Sequence, residues 1–448
     1  MRYRAPKLSE NEYEKHFEEL QKPFIAHAAL AEANRCLFCF DAPCTRACPT
    51  HIDIPAFIKK ISTGNLRGSA KTIFESNWIA LTCAKACPVE ELCEGACVMI
   101  EKGEKPIEIG RLQRFSVEHY FNSKSPDLFV PAAKNGKSVG IVGSGPAGLA
   151  CGAELALLGY DVIIYEAKEI PGGLSTWGIA PYKTRQKDSL AEVAFIQSLG
   201  VEINTGITIG ESIAVEDLLL KHDAFFLGIG LGESPPLRVP GEDLPGVAGA
   251  LSFIESVKSE KWDSVELGKR VAVIGAGNTS IDAATEAKRL GAEEVMIIYR
   301  RTDVEMPAYA HEYQLAKNDG ILFHFLTTPV KILGEKSVEA IQCIKMELGE
   351  KDDQGRRKPV PIPDSEFIIP VDQVIIAVGQ ESNKDFLSNI PGLETVNGCA
   401  VVDPETYQTG NPRVFAGGDC INGGKEVVNA AYDGKLAAHG IDEYLRTK

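Results

Sequence analysis

The sequence predicts an α/β chain in which a helical N-terminal domain precedes two domains of the βαβ type. Eight of the twelve cysteines fall within residues 36–97, in an N-terminal stretch whose apolar residues recur at helical spacing. Two patterns of strand, glycine turn, helix and strand then begin at Ser138 and Arg270. A chain of 448 residues is also too long for a single hydrophobic core.

Composition and charge exclude several classes of function. With 44% hydrophobic and 24% charged residues, the chain has an ordinary globular composition. Its formal net charge of −15 disfavours general binding to nucleic acid or to an anionic membrane surface. The polar start of the chain lacks the apolar core of a signal peptide, and we find no apolar run long enough to span a bilayer. We therefore expect a cytoplasmic protein without nucleic-acid or membrane partners.

The eight N-terminal cysteines form two runs with the spacing of metal ligands. The first run is Cys36-x2-Cys39-x4-Cys44-x3-Cys48-Pro49, and the second is Cys83-x3-Cys87-Pro88-x4-Cys93-x3-Cys97. In a reducing cytoplasm such dense spacing indicates metal binding or catalysis rather than disulfides. Four thiolates can hold a 4Fe-4S cluster, and a final Cys-Pro is typical of ferredoxin runs, whose last cysteine can serve another cluster. A structural zinc site and free thiols are the alternatives.

The first glycine turn has the features of a dinucleotide site. A pyrophosphate needs a tight turn at a helix N-terminus that no side chain blocks. Gly143, Gly145 and Gly148 in GSGPAG meet that need between a predicted strand and a predicted helix. Glu166 ends the second strand, where a carboxylate can hold ribose hydroxyls. A purely structural glycine turn is the alternative.

The second glycine turn points to a different nucleotide. It has Gly275 and Gly277, with Ser280 in place of the third glycine, and its second strand is followed by Arg300 and Arg301 rather than by an acid. Guanidinium groups at this place suit the 2′-phosphate of NADP, whereas an acid would suit NAD. We therefore expect a preference for NADPH, with NADH possible, unless the two arginines only form a solvated face.

The chain resembles flavoprotein reductases with two dinucleotide-binding domains. The resemblance is carried by the two glycine-turn units and by the segments VDQVIIAVGQ and TGNPRVFAGGDC that follow the second turn. In that family an inserted NAD(P)H domain interrupts an FAD domain, and the aspartate of the late motif, here Asp419, contacts the ribityl chain. The resemblance implies two Rossmann-like domains, one for FAD at 126–260 and 383–448 and one for NAD(P)H at 261–382. The helical pattern and the two cysteine runs place a helical domain with two 4Fe-4S clusters before them, at 1–125. Neither nucleotide unit contains CxxC or CxxxxC, so disulfide reduction is disfavoured.

The whole chain resembles the electron-input half of dihydropyrimidine dehydrogenase and the bacterial subunit that does this work alone. The resemblance is carried by DAPC, CPT, LTC, IEIGRLQRF, GGLSTWGI and FAGGD. It implies an NAD(P)H-dependent oxidoreductase that passes electrons between NAD(P)H, FAD and two 4Fe-4S clusters. The small subunit of NADPH-dependent glutamate synthase is a near relative and the first alternative. The second alternative is an adaptor that holds zinc and only docks a partner.

The same resemblance implies which residues hold the clusters. They are Cys36, Cys39, Cys44 and Cys97 for one cluster, and Cys48, Cys87, Cys93 and the amide oxygen of Gln113 for the other. Cys83 is then spare. Spacing alone does not decide between Cys83 and Gln113, since eight cysteines would also serve two clusters. Glutamate synthase subunits tend to carry glutamate at the Gln113 position, so RLQRF favours the pyrimidine enzyme.

The resemblance also implies the nucleotide contacts. For FAD they are Gly143, Ser144, Gly145, Pro146, Ala147, Gly148, Glu166, Gly173, Leu174, Lys183, Ile209, Gly418, Asp419, Glu426 and Val427. For NADPH they are Gly275, Ala276, Gly277, Asn278, Thr279, Ser280, Arg300, Arg301, Ala377, Val378 and Gly379. Lys183 stands where the pyrimidine enzyme tends to have arginine. The chemistry requires no general acid or base, so we assign no catalytic residue.

The FMN-bearing barrel of the pyrimidine enzyme does not occur in these 448 residues. We therefore expect a hetero-oligomer with a separate FMN-containing catalytic subunit that reduces uracil or thymine. The sequence leaves the direction of electron flow open.

Overall fold

The computed structural model describes residues 4–123, 127–351 and 355–448. By contact, the chain divides into two compact units. Unit 1 contains Met1–Glu19, Trp177–Tyr182 and Gly232–Glu381, and unit 2 contains Leu20–Thr176, Lys183–Leu231 and Ser382–Lys448. The predicted boundary between residues 125 and 126 lies outside the described residues, and the predicted domain ranges stay a prediction.

Helices make up most of the N-terminal part and flank the later strands. In chain order they are α1 (Glu10–His16), α2 (Ala26–Arg35), α3 (Pro43–Ala47), α4 (Ile54–Ser62), α5 (Leu66–Phe74), α6 (Ala80–Ala86), α7 (Ile109–Asn122), α8 (Pro146–Leu157), α9 (Gly173–Trp177), α10 (Gln186–Ser198), α11 (Val215–Lys221), α12 (Ala250–Lys258), α13 (Asn278–Arg289), α14 (Ala310–Asn318), α15 (Lys384–Ser388), α16 (Asp419–Asn422) and α17 (Val427–Arg446). Side-chain caps start some of them, since Asp53 accepts from the N–H of Ala56 at 3.1 Å and Asn65 from that of Gly68 at 2.9 Å. Within the described part of the chain, no helix combines the length and apolar character needed to cross a membrane.

The strands begin only after the cysteine-rich region. In chain order they are β1 (Ser138–Val142), β2 (Asp161–Tyr165), β3 (Val201–Asn204), β4 (Ala224–Leu227), β5 (Val247–Gly249), β6 (Arg270–Ile274), β7 (Glu294–Ile298), β8 (Leu322–His324), β9 (Thr327–Leu333), β10 (Ala340–Lys351), β11 (Arg357–Pro361), β12 (Phe367–Pro370), β13 (Gln373–Ile376), β14 (Thr395–Val396), β15 (Cys399–Ala400) and β16 (Val414–Ala416). Both predicted βαβ patterns are present, as β1–α8–β2 and β6–α13–β7.

The first sheet lies in unit 2 and has the strand order β16–β4–β1–β2–β3. All of its pairings are parallel. The chain leaves this sheet after β4 and returns to it with β16 near the end of the sequence. This return is the topology predicted for a nucleotide domain interrupted by a second one.

The second sheet lies in unit 1 and has the strand order β5–β13–β6–β7–β8. Its pairings are also parallel. In the same unit β10 pairs antiparallel with β9, β11 and β12, and in unit 2 β14 and β15 form a short antiparallel pair. Two parallel sheets that follow a helical region confirm the predicted α/β class.

Candidate functional site

The three glycines of the first turn are needed for different reasons. A Cβ on Gly143 would lie 2.4 Å from the oxygen of Gly228, and one on Gly148 would lie 1.9 Å from the oxygen of Gly143, so these two let the backbone pack on itself. A Cβ on Gly145 would meet nothing closer than the Cα of Gly173, at 3.9 Å. Gly145 caps the N-terminus of α8, and it therefore leaves open the space that a pyrophosphate needs.

The carboxylate of Glu166 is buried and shapes the same turn. One oxygen accepts from the N–H of Ser144 at 2.9 Å and from its hydroxyl at 2.6 Å, and the other accepts from the N–H of Lys168 at 2.8 Å. The hydroxyl oxygen of Ser144 accepts from the N–H of Gly172 at 2.9 Å. Glu166 thus holds the glycine turn against the segment before α9, and its contact with a ribose stays a prediction.

Several predicted FAD residues meet at the N-terminus of α8. Pro146 and Ala147 are the first residues of that helix. Gly173 and Leu174 begin α9, and a Cβ on Gly173 would lie 2.6 Å from the Cα of Gly145. The structure therefore brings the first turn and the GGLST segment together, as one binding surface would require.

The return motif after β16 reaches the same place. A Cβ on Gly418 would lie 3.1 Å from the Cβ of Ala147. Asp419 follows, and its carboxylate accepts from the N–H of Lys425 at 3.0 Å. Burial raises the pKa of Asp419. Gly418 thus lies on the first turn of α8, and the ribityl contact of Asp419 stays a prediction.

Asp433, on α17, holds the return motif, and sequence reasoning missed it. Its carboxylate accepts from the N–H of Gly418 at 3.0 Å and from the hydroxyl of Tyr407 at 3.1 Å. Burial raises the pKa of Asp433. The sequence did hold one signal for it. Asp433 lies about two helical turns after Glu426, the N-cap of α17, and residues at that spacing lie on the same face of a helix.

Four further predicted FAD residues lie elsewhere in unit 2. Glu426 is the N-cap of α17 and Val427 is its first residue. Lys183 lies in the turn before α10. Ile209 is buried in a core cluster that also contains Leu227. Burial explains an isoleucine at position 209 without a ligand, so its contact with adenine stays a prediction.

The second glycine turn repeats the arrangement in unit 1. A Cβ on Gly275 would lie 2.2 Å from the oxygen of Ala377, whereas one on Gly277 would meet nothing closer than Cγ of Pro307, at 4.0 Å. Ser280, in place of the third glycine, donates its hydroxyl to the carbonyl of Ala377 at 3.1 Å. The serine therefore ties the turn to the residue after β13, and Gly277 leaves space open at the N-terminus of α13.

The remaining predicted NADPH residues of the two loops lie close to these glycines in sequence. Ala276 is buried within the turn. Asn278 and Thr279 begin α13, with Thr279 exposed. Val378 and Gly379 follow β13, and Gly379 has a positive φ of 112° with open space where a Cβ would stand. Both loops thus follow the carboxyl ends of neighbouring parallel strands, the usual place for a nucleotide.

The two predicted arginines have different surroundings. Arg300 is exposed after β7. Arg301 is buried, and its Nε donates to the carbonyl of Arg357 at 2.8 Å. Arg357 in turn pairs with the carboxylate of Glu305 at 2.5 Å. Arg301 is therefore held by the protein itself, and Arg300 is the guanidinium at the strand end that faces solvent.

Four cysteines line one cavity in unit 2. They are the predicted ligands of the first cluster, namely Cys36, Cys39, Cys44 and Cys97. The other lining residues are apolar. Burial raises the pKa of the Cys36 thiol and raises that of Cys44 to about 11. Because thiolates are the ligands, a bound metal centre would offset this cost, and the four residues fit a 4Fe-4S cluster.

The other four cysteines influence one another. A hydrogen bond with Cys83, together with burial, raises the pKa of the Cys87 thiol, and Cys93 and Cys48 act on it in the same direction. Burial also raises the pKa of Cys93. The pKa of the Cys93 thiol is also raised by Cys48 and by Cys44 of the first group.

Gln113 lies on α7 beside the helix that carries Cys83. Its side chain is buried, and its Nε2 donates to the carbonyl of Ala80 at 2.7 Å. Ala80 is the first residue of α6, and Cys83 follows on the same helix. This bond fixes the amide beside the second group of cysteines, and its role as a ligand stays a prediction.

The loop that carries the first cysteines is strained. Phe38, Ala42 and His51 have positive φ angles of 53°, 25° and 52°. Such backbone costs on the order of 1–3 kcal/mol per residue and persists only where the surroundings enforce it. The loop is therefore fixed in one conformation, as a loop that bears ligands must be.

In residues 4–123, 127–351 and 355–448, no three His, Cys, Asp or Glu side chains come close enough to hold a single metal ion. A tetrahedral zinc site places four ligands about 2.0–2.3 Å from one ion. The first four cysteines instead surround a cavity. Four cysteines around one cavity provide the ligand set that a 4Fe-4S cluster requires.

Two protein families match consecutive parts of the chain. Residues 13–125 match the 4Fe-4S cluster domain known as domain II of dihydropyrimidine dehydrogenase. Residues 137–434 match the pyridine nucleotide–disulphide oxidoreductases. The second match alone covers more than half of the chain.

Curated relatives match over nearly the whole chain. The small chain of NADPH glutamate synthase from Halomonas elongata is 34% identical over 96% of this chain and 94% of its own. The NAD-dependent dihydropyrimidine dehydrogenase subunit PreT from Escherichia coli K12 is 33% identical over 96% of this chain and 97% of its own. The beta subunit of NADP(+)-dependent formate dehydrogenase from Moorella thermoacetica is 38% identical over 90% of this chain, which spans 60% of that subunit's length.

Among solved structures, Mycobacterium tuberculosis FprA in complex with NADPH matches with a TM-score of 0.57 at 21% identity. The match covers 69% of this chain and 85% of that chain. It confirms the fold of the nucleotide-binding part.

Proposed function

The chain belongs to the pyridine nucleotide–disulphide oxidoreductase family and carries an N-terminal 4Fe-4S domain, and on this premise we propose that it is the electron-input subunit of a dihydropyrimidine dehydrogenase. It is an NAD(P)H-dependent flavin and iron–sulfur oxidoreductase. In the proposed role it exchanges electrons with a separate FMN-containing subunit that reduces uracil or thymine.

One observation carries the proposal: the flavin turn and the cysteine cavity both belong to unit 2. When bound, FAD and the clusters supply the chemistry that turns the two electrons of one hydride into single-electron transfers. A chain that holds both groups in one compact unit suits a feeder of one-electron partners.

The residues of the chain bind and orient the nucleotides. α8 and α13 would present their N-termini to the pyrophosphates, since Gly145 and Gly277 leave the approach to these helix ends open. Glu166 holds the first turn and Asp433 holds the return motif. We assign no side chain to proton transfer.

For the second cluster we propose the ligands Cys48, Cys87, Cys93 and Gln113, with Cys83 as a neighbour. Support comes from Gln113, whose buried side chain is fixed beside the second group of cysteines by the bond from its Nε2 to the carbonyl of Ala80. As a neighbour that is not a ligand, Cys83 would be able to hydrogen-bond to a cluster sulfur, and such hydrogen bonds tune the reduction potential.

Two substitutions test this ligand assignment. We expect Cys83→Ser to keep both clusters while shifting the potential of one, and Gln113→Ala to lose one cluster. Iron, acid-labile sulfide and the electron paramagnetic resonance of the reduced protein measure both effects. Loss of a cluster in Cys83→Ser, with both retained in Gln113→Ala, would make Cys83 the ligand.

The partner is tested by anaerobic affinity purification of the tagged chain from its own host, with mass spectrometry of the co-eluting proteins. We expect a flavoprotein of the size of a barrel domain, and a pair that oxidises NAD(P)H only after uracil or thymine is added. Zinc in place of iron and sulfide would support the adaptor instead.

The second candidate is the small subunit of glutamate synthase, which the 34% identical relative favours. For this candidate the purification would recover a very large partner, and the pair would consume glutamine and 2-oxoglutarate with NADPH. That result would replace the pyrimidine role.

A further inference from the structure

The loop between the first cysteines presents a phenylalanine to solvent. Phe40 has an exposed fraction of 106%, and Leu37 is exposed as well at 48%. Scattered exposed apolar residues are common. The positive φ angles of Phe38 and Ala42, however, fix the backbone on both sides of Phe40. The phenyl ring is thus held outward by an ordered loop.

Phe40 lies at the more accessible of the two cysteine groups. Leu37, Cys39 and Pro43, its neighbours in sequence, line the cavity of the first group. In the first group three cysteines are partly exposed and only Cys97 is buried, whereas in the other group only Cys87 is partly exposed. A protein that exchanges electrons with this chain through its cysteine region can approach more closely at the first group.

Two exposed cations lie beside the loop that carries Phe40. Arg46 donates to the carbonyl of Asp41 at 2.9 Å and has 65% of its side chain exposed, while its distance to the Asp41 carboxylate is 4.0 Å. Lys59 is exposed, with its Nζ 4.7 Å from the centroid of the Phe38 ring. Arg46 and Lys59 thus place two exposed cations beside the loop, with Asp41 as an anion in the loop itself, on a chain whose formal net charge is −15. A local charge opposite to that of the whole chain favours an acidic docking partner.

We propose that Leu37, Phe40, Arg46 and Lys59, together called the Phe40 face, form the docking surface for the electron-exchanging partner. The partner is a redox protein whose docking face is acidic and has an apolar socket for the phenyl ring. This inference rests on the proposed function, since it needs a cluster at the first cysteine group. An aromatic anchor inside a charged rim is the usual anatomy of such an interface.

The electron balance of the exchange is simple. Each NAD(P)H supplies two electrons as a hydride and leaves as NAD(P)+. The two electrons pass one at a time to the partner's redox centre, which is the oxidant, and the hydride's proton goes to solvent. No covalent bond forms between the two proteins.

The test uses the full chain with its cofactors and two protein acceptors, an acidic rubredoxin and a basic cytochrome c. Phe40→Ser and the double variant Arg46→Glu/Lys59→Glu are compared with the matched control Leu220→Ser, an apolar residue of unit 2 that is 84% exposed. Anaerobic reduction of the clusters by NADPH, followed by absorbance, reports on the internal path. Acceptor reduction as a function of salt reports on docking.

We expect Phe40→Ser to lower kcat/KM for rubredoxin by about tenfold or more. The double variant should lower it as well and flatten its salt dependence. Cluster reduction by NADPH should stay unchanged in both variants, and Leu220→Ser should match the unsubstituted protein.

Unchanged rubredoxin kinetics in both variants, with normal cluster reduction, would overturn the docking surface and leave the proposed function standing. A rubredoxin rate that rises with added salt in the unsubstituted protein would overturn the acidic partner. If NADPH reduced no cluster even in the unsubstituted protein, the proposed function would fail and this inference with it.

Discussion

Gly145 and Gly277 show how a single residue can indicate where a nucleotide binds. A Cβ at these positions would lie 3.9 Å and 4.0 Å from its nearest neighbours, so the protein itself tolerates alanine. We expect Gly145→Ala to fold but to retain less FAD, because the methyl group occupies the pyrophosphate's approach. Gly277→Ala should keep FAD and raise KM for NADPH by about tenfold or more. Flavin absorbance per chain and steady-state kinetics measure these effects.

Gly434→Ala is the matched control for a purely structural glycine. Its Cβ would lie 2.0 Å from the backbone oxygen of Ala147, so this substitution should lower the melting temperature. If Gly145→Ala destabilised the protein as much as Gly434→Ala, the space at Gly145 would have a structural origin instead.

Arg300 and Arg301 are adjacent in the sequence, but their different surroundings indicate different roles. The guanidinium of Arg301 is bonded to the carbonyl of Arg357, whereas Arg300 is exposed. We expect Arg300→Ala to raise KM for NADPH about 10- to 100-fold, the effect of losing a charged hydrogen bond, with little change for NADH. Arg301→Ala should mainly lower the melting temperature. Equal increases of KM for both nucleotides in Arg300→Ala would contradict a 2′-phosphate contact.

For single residues, the sequence predicts a role when the contacts are close by in the chain. It misses a role when the partner comes close only through the tertiary fold. Glycines placed between a predicted strand and a predicted helix indicated two phosphate-binding turns, because strand, turn and helix are neighbours in the chain. Asp433 bonds to Gly418, and Arg301 to Arg357. These contacts depend on tertiary packing, so no short motif records them.

Among the elements, α10 contacts the cysteine-bearing helix α6 through two acidic side chains. Glu192 accepts from the N–H of Leu81 at 2.6 Å and of Thr82 at 3.2 Å, at the start of α6. Asp188, one turn earlier on α10, accepts from Lys85 at 2.7 Å. The carboxylate of Glu192 thus serves as a remote cap for the helix that carries Cys83.

Glu192 gives this contact a pH dependence, because burial raises its pKa from 4.5 to about 7. The folded state then binds the proton more tightly than the unfolded state. The protonated carboxyl favours folding below about pH 4.5, and that advantage is lost as pH rises to about 7, by about 3 kcal/mol at most. We expect the melting temperature of the unsubstituted protein to fall across this window, and that of Glu192→Gln to fall less. An equal fall in both proteins, with the exposed variant Glu216→Gln as control, would exclude Glu192 as the cause.

The sequence predicts helices and strands best where the spacing of the apolar residues and the residues of the flanking turns indicate the same structure. Strand, glycine turn and helix follow in order in both βαβ units, so these elements were predicted. The pairing of β16 with β4 joins distant parts of the chain, and only the resemblance to flavoprotein reductases, not the local pattern, predicted it. α10 was not recognised as a contact element because Asp188 and Glu192 are buried carboxylates, whereas charged helix residues usually face water.

For the whole molecule, the division into two units separates the predicted sites. The predicted FAD residues and cluster ligands fall in unit 2, and the predicted NADPH residues fall in unit 1. The sequence anticipated this separation because the second nucleotide pattern interrupts the first. It could not indicate how accessible each cysteine group is, since exposure depends on the folded surface.

Cluster removal should therefore affect the two units differently. The strained backbone at Phe38, Ala42 and His51 costs on the order of 1–3 kcal/mol per residue, and anchored cysteines can hold it in place. Metal binding and local folding are then linked. After removal of iron with a chelator and ferricyanide, we expect trypsin to cut after Arg46 and Lys59 about tenfold faster or more. Limited proteolysis with mass spectrometry measures the rate at each site.

Unit 1 contains none of the eight clustered cysteines, so its nucleotide turn should survive the same treatment. Titration with NADP+ before and after iron removal provides the control, with an unchanged dissociation constant expected. If Arg46 stayed equally protected without iron, the packing of α2 and α4 would hold the loop by itself. The strain at Phe38 would then be a property of the protein core rather than of the cluster, and the cysteines would be ligands on a scaffold already formed before the metal binds.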